Sequence, residues 1–131
     1  METTSSLLET FGPPISVYTR AQGIDDGVLV DVTEWASADK GFIGGFRIPV
    51  ALTASVWHDV NHIGKGCMQD VHGRAHDLLF MASLAARRGG NETLFSMLMQ
   101  VGRTRKQVYK MVCGPNDDGS PCITIMQRNE D

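Results

Sequence analysis

All four histidines of the chain, His58, His62, His72 and His76, fall within one short reach, WHDVNHIGKGCMQDVHGRAHD (57–77). One of its three cysteines, Cys67, lies between the two pairs. Within each pair the spacing is four residues. On a helix that spacing sets two imidazoles on one face, where they can share a metal. His58, His62, Cys67, His72 and His76 together supply enough donors for a zinc site. The same reach offers general acid–base chemistry, because Asp59, Asp70 and Asp77 accompany the histidines. Neither chemistry carries its usual signature. There is no His-Glu-x-x-His, no Cys-x-x-Cys and no nucleophile elbow. Gly64-Lys65-Gly66 lacks the flanking residues of a phosphate loop. The commoner fate of such histidines is a surface or a loop, with His76 packed partly on a sheet.

Two further groups of residues carry possible function. Arg87 and Arg88 end a helical stretch, and Arg103, Arg105 and Lys106 sit at a turn. If the two groups converge at one end of a sheet, they form a patch that meets phosphates with a salt-dependent affinity. A solvated hairpin tip is the alternative, and no aromatic residues interleave the patch to stack bases. The chain also holds seven methionines, among them Met81, Met97, Met99, Met111 and Met126. Methionine adapts to irregular surroundings, so these either fill a small core or line a protein-binding surface. Trp35 and Trp57 read as core anchors on short amphipathic helices.

The elements that must position these residues follow from periodicity and caps. Thr19 and Gln22 form a capping box for a short helix that Gly23 and Asp25-Asp26-Gly27 cut off. Val28–Val32 is a β-branched strand, and Thr33 can cap a short helix over Glu34–Ala38. Ile48–Leu52 is extended around Pro49, and Thr53 caps a helix through Val60. The longest helix is expected over Gly73–Arg88, with Ala75, Leu78, Leu79, Ala82 and Ala85 as its apolar stripe and Gly89-Gly90 as its stop. Leu94–Val101, Gln107–Cys113 and Cys122–Gln127 read as three strands joined by turns. Phe95, Met97, Met99 and Val101 share one face of the first. The fold class expected is therefore α+β: a three-stranded antiparallel meander (94–127) packed on one long helix (73–88), with short N-terminal strands and helices that can extend the sheet through 28–32 or 48–52. Residues 1–14 read as a flexible arm, 15–127 as one domain and 128–131 as a flexible tail.

Bulk properties set outer limits. At 131 residues, 42% hydrophobic and 21% charged, the chain has the makeup of one soluble domain. Net charge is −3, with 4 basic and 9 acidic side chains in 1–73 and 8 basic and 6 acidic in 74–131. That bipolarity is too mild for an acidic mimic of DNA or a dedicated nucleic-acid binder. No run reaches the ~20 apolar residues that span a bilayer, and the N-terminus lacks the pattern of a signal peptide. Three cysteines in a chain of this kind are expected as free thiols. Strand alternation sends Cys113 and Cys122 to opposite faces, against a disulfide between them.

Four stretches, ISVYTRAQGIDDGVLVDVTEWA (15–36), GFRIPVALTASVW (45–57), MASLAARRGG (81–90) and VCGPNDDGSPCITIM (112–126), resemble a family of small uncharacterised bacterial proteins found on plasmids, phages and other mobile elements. The resemblance spans most of 15–127. It implies a prokaryotic, cytoplasmic accessory protein and implies no activity. Members tend to carry Trp where this chain has His76, so the resemblance implies no shared metal site there. The leading expectation is a non-enzymatic binding protein of a mobile element. It would contact a host protein or protein–nucleic-acid complex, as inhibitors of CRISPR or restriction systems do, and need no cofactor. A zinc-binding protein built on His58–His76, and a nucleic-acid accessory factor built on the arginine patch, stand as alternatives.

Overall fold

The structure is a computed structural model that describes residues 18–37, 45–64 and 69–130. The expected arm, Cys67 and the Gly64–Gly66 turn beyond Gly64 therefore lie outside the described residues. Among the described residues the chain runs α1 (Arg20–Asp25), β1 (Leu29–Asp31), α2 (Thr33–Ala36), β2 (Val50–Thr53), α3 (Ala54–Asn61), α4 (Val71–Ala86), β3 (Glu92–Val101), β4 (Thr104–Pro115) and β5 (Pro121–Gln127).

Local chemistry explains most boundaries. In α1 both halves of the capping box form: Gln22 N–H donates to Thr19 Oγ1 at 3.1 Å, and Thr19 N–H to Gln22 Oε1 at 2.8 Å. Two more first-turn amides, Arg20 and Ala21, are taken by the carboxylate of Asp117, which pins α1 to the β4–β5 loop. Thr53 caps α3 as expected. Thr33 does not cap α2. It sits inside that helix and its hydroxyl engages Asp31 and Val50 instead. The longest helix starts two residues before its expected position, because Asp70 is the cap and accepts from Gly73 N–H at 2.6 Å. It ends where Gly89 (φ 79°) and Gly90 (φ 89°) take the left-handed turn that other residues resist.

The five strands form one mixed sheet in the order β1-β2-β5-β4-β3. This corrects the expected three-stranded meander on one helix. β3, β4 and β5 do pair antiparallel in sequence order, but β2 adds parallel to β5, with Val50 opposite Ile123, and β1 adds antiparallel to β2. β2 is buried at every position and is an inner strand. The core lies between the sheet and the helices α3 and α4. Val50, Leu52, Met99, Tyr109, Ile125 and their neighbours meet Val56, Val60, Leu78 and Leu79 there. Ala75, Ala82 and Ala85 are fully or almost fully buried on α4. α4 packs chiefly on β3, so the longest helix lies over one edge of the sheet.

Cys113 packs against this core, whereas Cys122 belongs to the other face of β5, and both thiols are free. Arg20 reaches that second face, where its guanidinium donates to Thr124 Oγ1 and Ile123 O. Residues 128–130, expected as part of a loose tail, are tied down. Glu130 Oε1 accepts from Thr53 Oγ1 at 2.8 Å and from Gln127 N–H at 2.9 Å.

Candidate functional site

The histidines are placed by two different helices and do not gather. His58 and His62, at the end of α3, have ring centroids 5.5 Å apart. His72 lies against Trp35 at 5.4 Å, and Trp35 in turn meets Trp57 edge-on at 6.2 Å. His76 stacks on Phe80 and has Asp77 at 3.5 Å. Among the described residues no three His, Cys, Asp or Glu side chains form a metal-binding group. His58 and His62 are ring neighbours, with His62 already past the helical residues of α3, and Cys67 lies outside the described residues.

The carboxylates of the same reach have structural partners. Asp70 caps α4. Asp59 is buried, and its Oδ2 accepts from Tyr109 Oη at 3.0 Å and from Gln127 Nε2 at 3.2 Å. Burial in the core raises the Tyr109 hydroxyl well above its usual range, and the neighbouring Asp59 charge adds to this. Above this pair sits Arg74, only 2% exposed. Its Nη1 donates to Asp59 O (2.7 Å) and His62 O (3.0 Å), its Nη2 to Gln100 O, and its Nε to Gln69 Oε1 (3.0 Å). One guanidinium thus ties the last turn of α3, the first turn of α4 and the end of β3 together. It caps the C-terminal end of α3, adding a charged donor to the Asp59 carbonyl, which also accepts from His62 N–H at 3.3 Å, and serving the His62 carbonyl beyond it. Among the described residues no buried side-chain nitrogen or oxygen lacks a hydrogen-bond partner, and the partners in this cluster are protein groups, which is the makeup of a structural rivet. Arg74 is nearly silent in the sequence. Its only signal is an arginine at a position between apolar-stripe residues.

The basic residues separate. Arg87 and Arg88 end α4 just before β3 begins, whereas Arg103, Arg105 and Lys106 follow the end of β3. Ten strand residues, about 33 Å at ~3.3 Å each, lie between them. The expected convergence at one end of the sheet does not occur.

The remaining surface feature is the free edge at β3. Its alternation puts Phe95, Met97 and Met99 in the core and leaves Leu94 and Leu98 outward, 45% and 73% exposed. Beside them a cavity of about 380 Å³ opens between α4 and β3, lined by Phe80, Met81, Met97 and Leu98 with Asp77 and Lys106 at its rim. At its far end the edge is closed: Gln100 N–H donates to Gln69 and its carbonyl accepts from Arg74. No such side-chain cover is seen over Glu92–Leu98 among the described residues. An open strand edge flanked by apolar side chains is a template for pairing with another chain. The sequence carried a readable sign of it, because LFSMLM places apolar residues on both faces of one strand.

Residues 11–131 match DUF6573, a family of unknown function. The chain belongs to that family. No curated protein and no solved structure matches it. For this DUF6573 chain, the surface at β3 and the rivet at Arg74 are therefore read from its own geometry. Among its described residues no helix is long and apolar enough to cross a membrane.

Proposed function

We propose that this protein is a non-enzymatic binding protein that acts by protein–protein contact, with the β3 edge and its groove as the contact surface. The observation that carries this reading is the pair of exposed leucines, Leu94 and Leu98, on an edge strand with no strand paired to its outer side among the described residues, beside an apolar groove. Met81 and Met97 in that groove suit a surface that adapts to a partner. The buried acid–base candidate Asp59 supports it from the other side, since its carboxylate is committed to Tyr109 and Gln127. The finer version of the proposal is a host protein or protein–nucleic-acid complex as partner, with the chain serving a mobile element as an inhibitor of host defence. Support for that version is the resemblance of YTRAQ, DGVLVDVT and GPNDDGSP to proteins of such elements.

The test compares affinity capture from a native host extract by wild type and by Leu98→Lys. Leu98 is largely solvated, so the substitution is expected to leave the melting temperature within about 2 °C of wild type. A specific host protein retained by wild type is expected to fall by at least about tenfold in the variant, as for a central apolar contact. Equal recovery by both proteins would remove the β3 edge as the contact surface.

A further inference from the structure

We propose that the β3 edge of one copy is occupied by the β3 edge of a second copy, antiparallel about a two-fold axis at Ser96. This rests on the reading that the protein works through contact at that edge: the second copy holds the edge in the free protein, and a host partner takes its place there. A two-fold interface must be complementary to itself, each residue meeting the mate of its own partner. An axis at Ser96 meets that demand along the whole strand. Leu94 faces Leu98 of the second copy, and Leu98 faces its Leu94. On the core side Phe95 faces Met97 in the same way. The small Ser96 stands on the axis opposite itself. No other antiparallel register pairs both exposed leucines with leucines.

The helix over this edge is complementary in charge. α4 runs antiparallel to β3: its first turn is tied to Gln100 through Arg74, and its end precedes Glu92. Asp70 and Asp77 lie in its first half and Arg87 and Arg88 at its end, all exposed. Because α4 packs on β3, the same axis sets it antiparallel beside α4 of the second copy. Asp70 then faces the Arg87–Arg88 end of the other helix across the interface, and the two helix dipoles oppose. The groove takes its side chains from mid-helix, Phe80 and Met81, and from Ser96 and Met97. It therefore lies on the axis, where each copy fills the other's groove with the same residues. The closed end at Gln100 limits the pairing to Thr93–Met99, and the product is one continuous ten-stranded sheet.

Light scattering on the full chain after size exclusion tests this, at up to about 200 µM, where a micromolar dimer is saturated. Wild type is expected at twice the chain mass of 14.3 kDa. Leu94→Lys and Leu98→Lys are each expected to raise the concentration for half-dimerisation by at least about tenfold, with unchanged circular dichroism spectra and a melting temperature that matches wild type once both are dilute enough to be monomers. Wild type at the single-chain mass throughout, or a dimer that neither lysine weakens, would overturn self-pairing. The two proposals fail separately. A monomeric wild type whose host capture is still lost in Leu98→Lys refutes self-pairing alone. A dimer that Leu98→Lys dissociates, with host capture unchanged, refutes only the host contact at this edge.

Discussion

Replacing Arg74 with methionine is expected to lower the melting temperature by about 10–15 °C, the largest effect of any single polar substitution in this protein. The guanidinium donates to three main-chain carbonyls, those of Asp59, His62 and Gln100, and to the side chain of Gln69. Methionine keeps most of the volume and none of the donors. Stripping a donor from these buried and partly buried carbonyls costs roughly 1–3 kcal/mol each, and relaxation, water entry and the His62 N–H that the Asp59 carbonyl keeps recover part of the sum. A net loss of about 3–4 kcal/mol corresponds to the stated shift for a domain of this size. Arg74→Lys is expected to fall between the two, since an ammonium cannot serve carbonyls on three separate segments at once. Thermal melts followed by circular dichroism read all three proteins. A loss below about 3 °C in Arg74→Met would mean that packing, and not the guanidinium, joins α3, α4 and β3.

The second large effect is a loss of stability in alkali that Tyr109 controls. The buried hydroxyl donates to Asp59, and burial together with that carboxylate raises its ionisation far above the ordinary tyrosine range. In the unfolded chain it ionises near pH 10. Below that pH both states hold the proton and the full stability is present. Above it the unfolded state releases the proton while the folded state keeps it, so stability falls by about 1.4 kcal/mol per pH unit. Tyr109→Phe removes the bond to Asp59 and is expected to cost about 1–3 kcal/mol at pH 8. That variant lacks the titration, so its deficit against wild type should shrink by roughly 1 kcal/mol between pH 10 and 11, and by roughly 1.4 kcal/mol from pH 8 to 11. Denaturant melts at pH 8, 10 and 11 measure this directly. Tyr18 is also raised, first by its hydrogen bond to Asp26, but it is exposed and present in both proteins, so it cancels in the comparison. A deficit that stays constant from pH 8 to 11 would show that Tyr109 ionises as freely in the folded state as in the unfolded one.

What the sequence made legible was chiefly local. The Thr19–Gln22 box, the Thr53 cap, the apolar stripe of α4 and the alternation in β3 each depend on residues a few positions apart, and each appears where periodicity placed it. The opposite facing of Cys113 and Cys122 follows from the same alternation. The parallel pairing of β2 with β5 was not legible, because it joins Val50 to Ile123 across most of the chain and leaves no short-range pattern. The histidine reach looked like a site because its donors are close in sequence. The fold assigns them to α3 and α4, where His58 meets His62 while His72 and His76 take aromatic neighbours. The arginine groups illustrate the converse. A helix that turns straight into an antiparallel strand must leave its own end and the strand's end far apart, so Arg87 and Arg103 could not converge.

If the β3 edge is the working surface, photo-crosslinking from it captures whatever occupies it. A photoreactive amino acid at position 98 is compared with one at position 55, since Ser55 is exposed on α3, which packs on β2 and β5. Contact at the β3 edge predicts covalent adducts from position 98, to a second copy or to a host protein, and none above background from position 55. Adducts from position 55 with none from position 98 would contradict it.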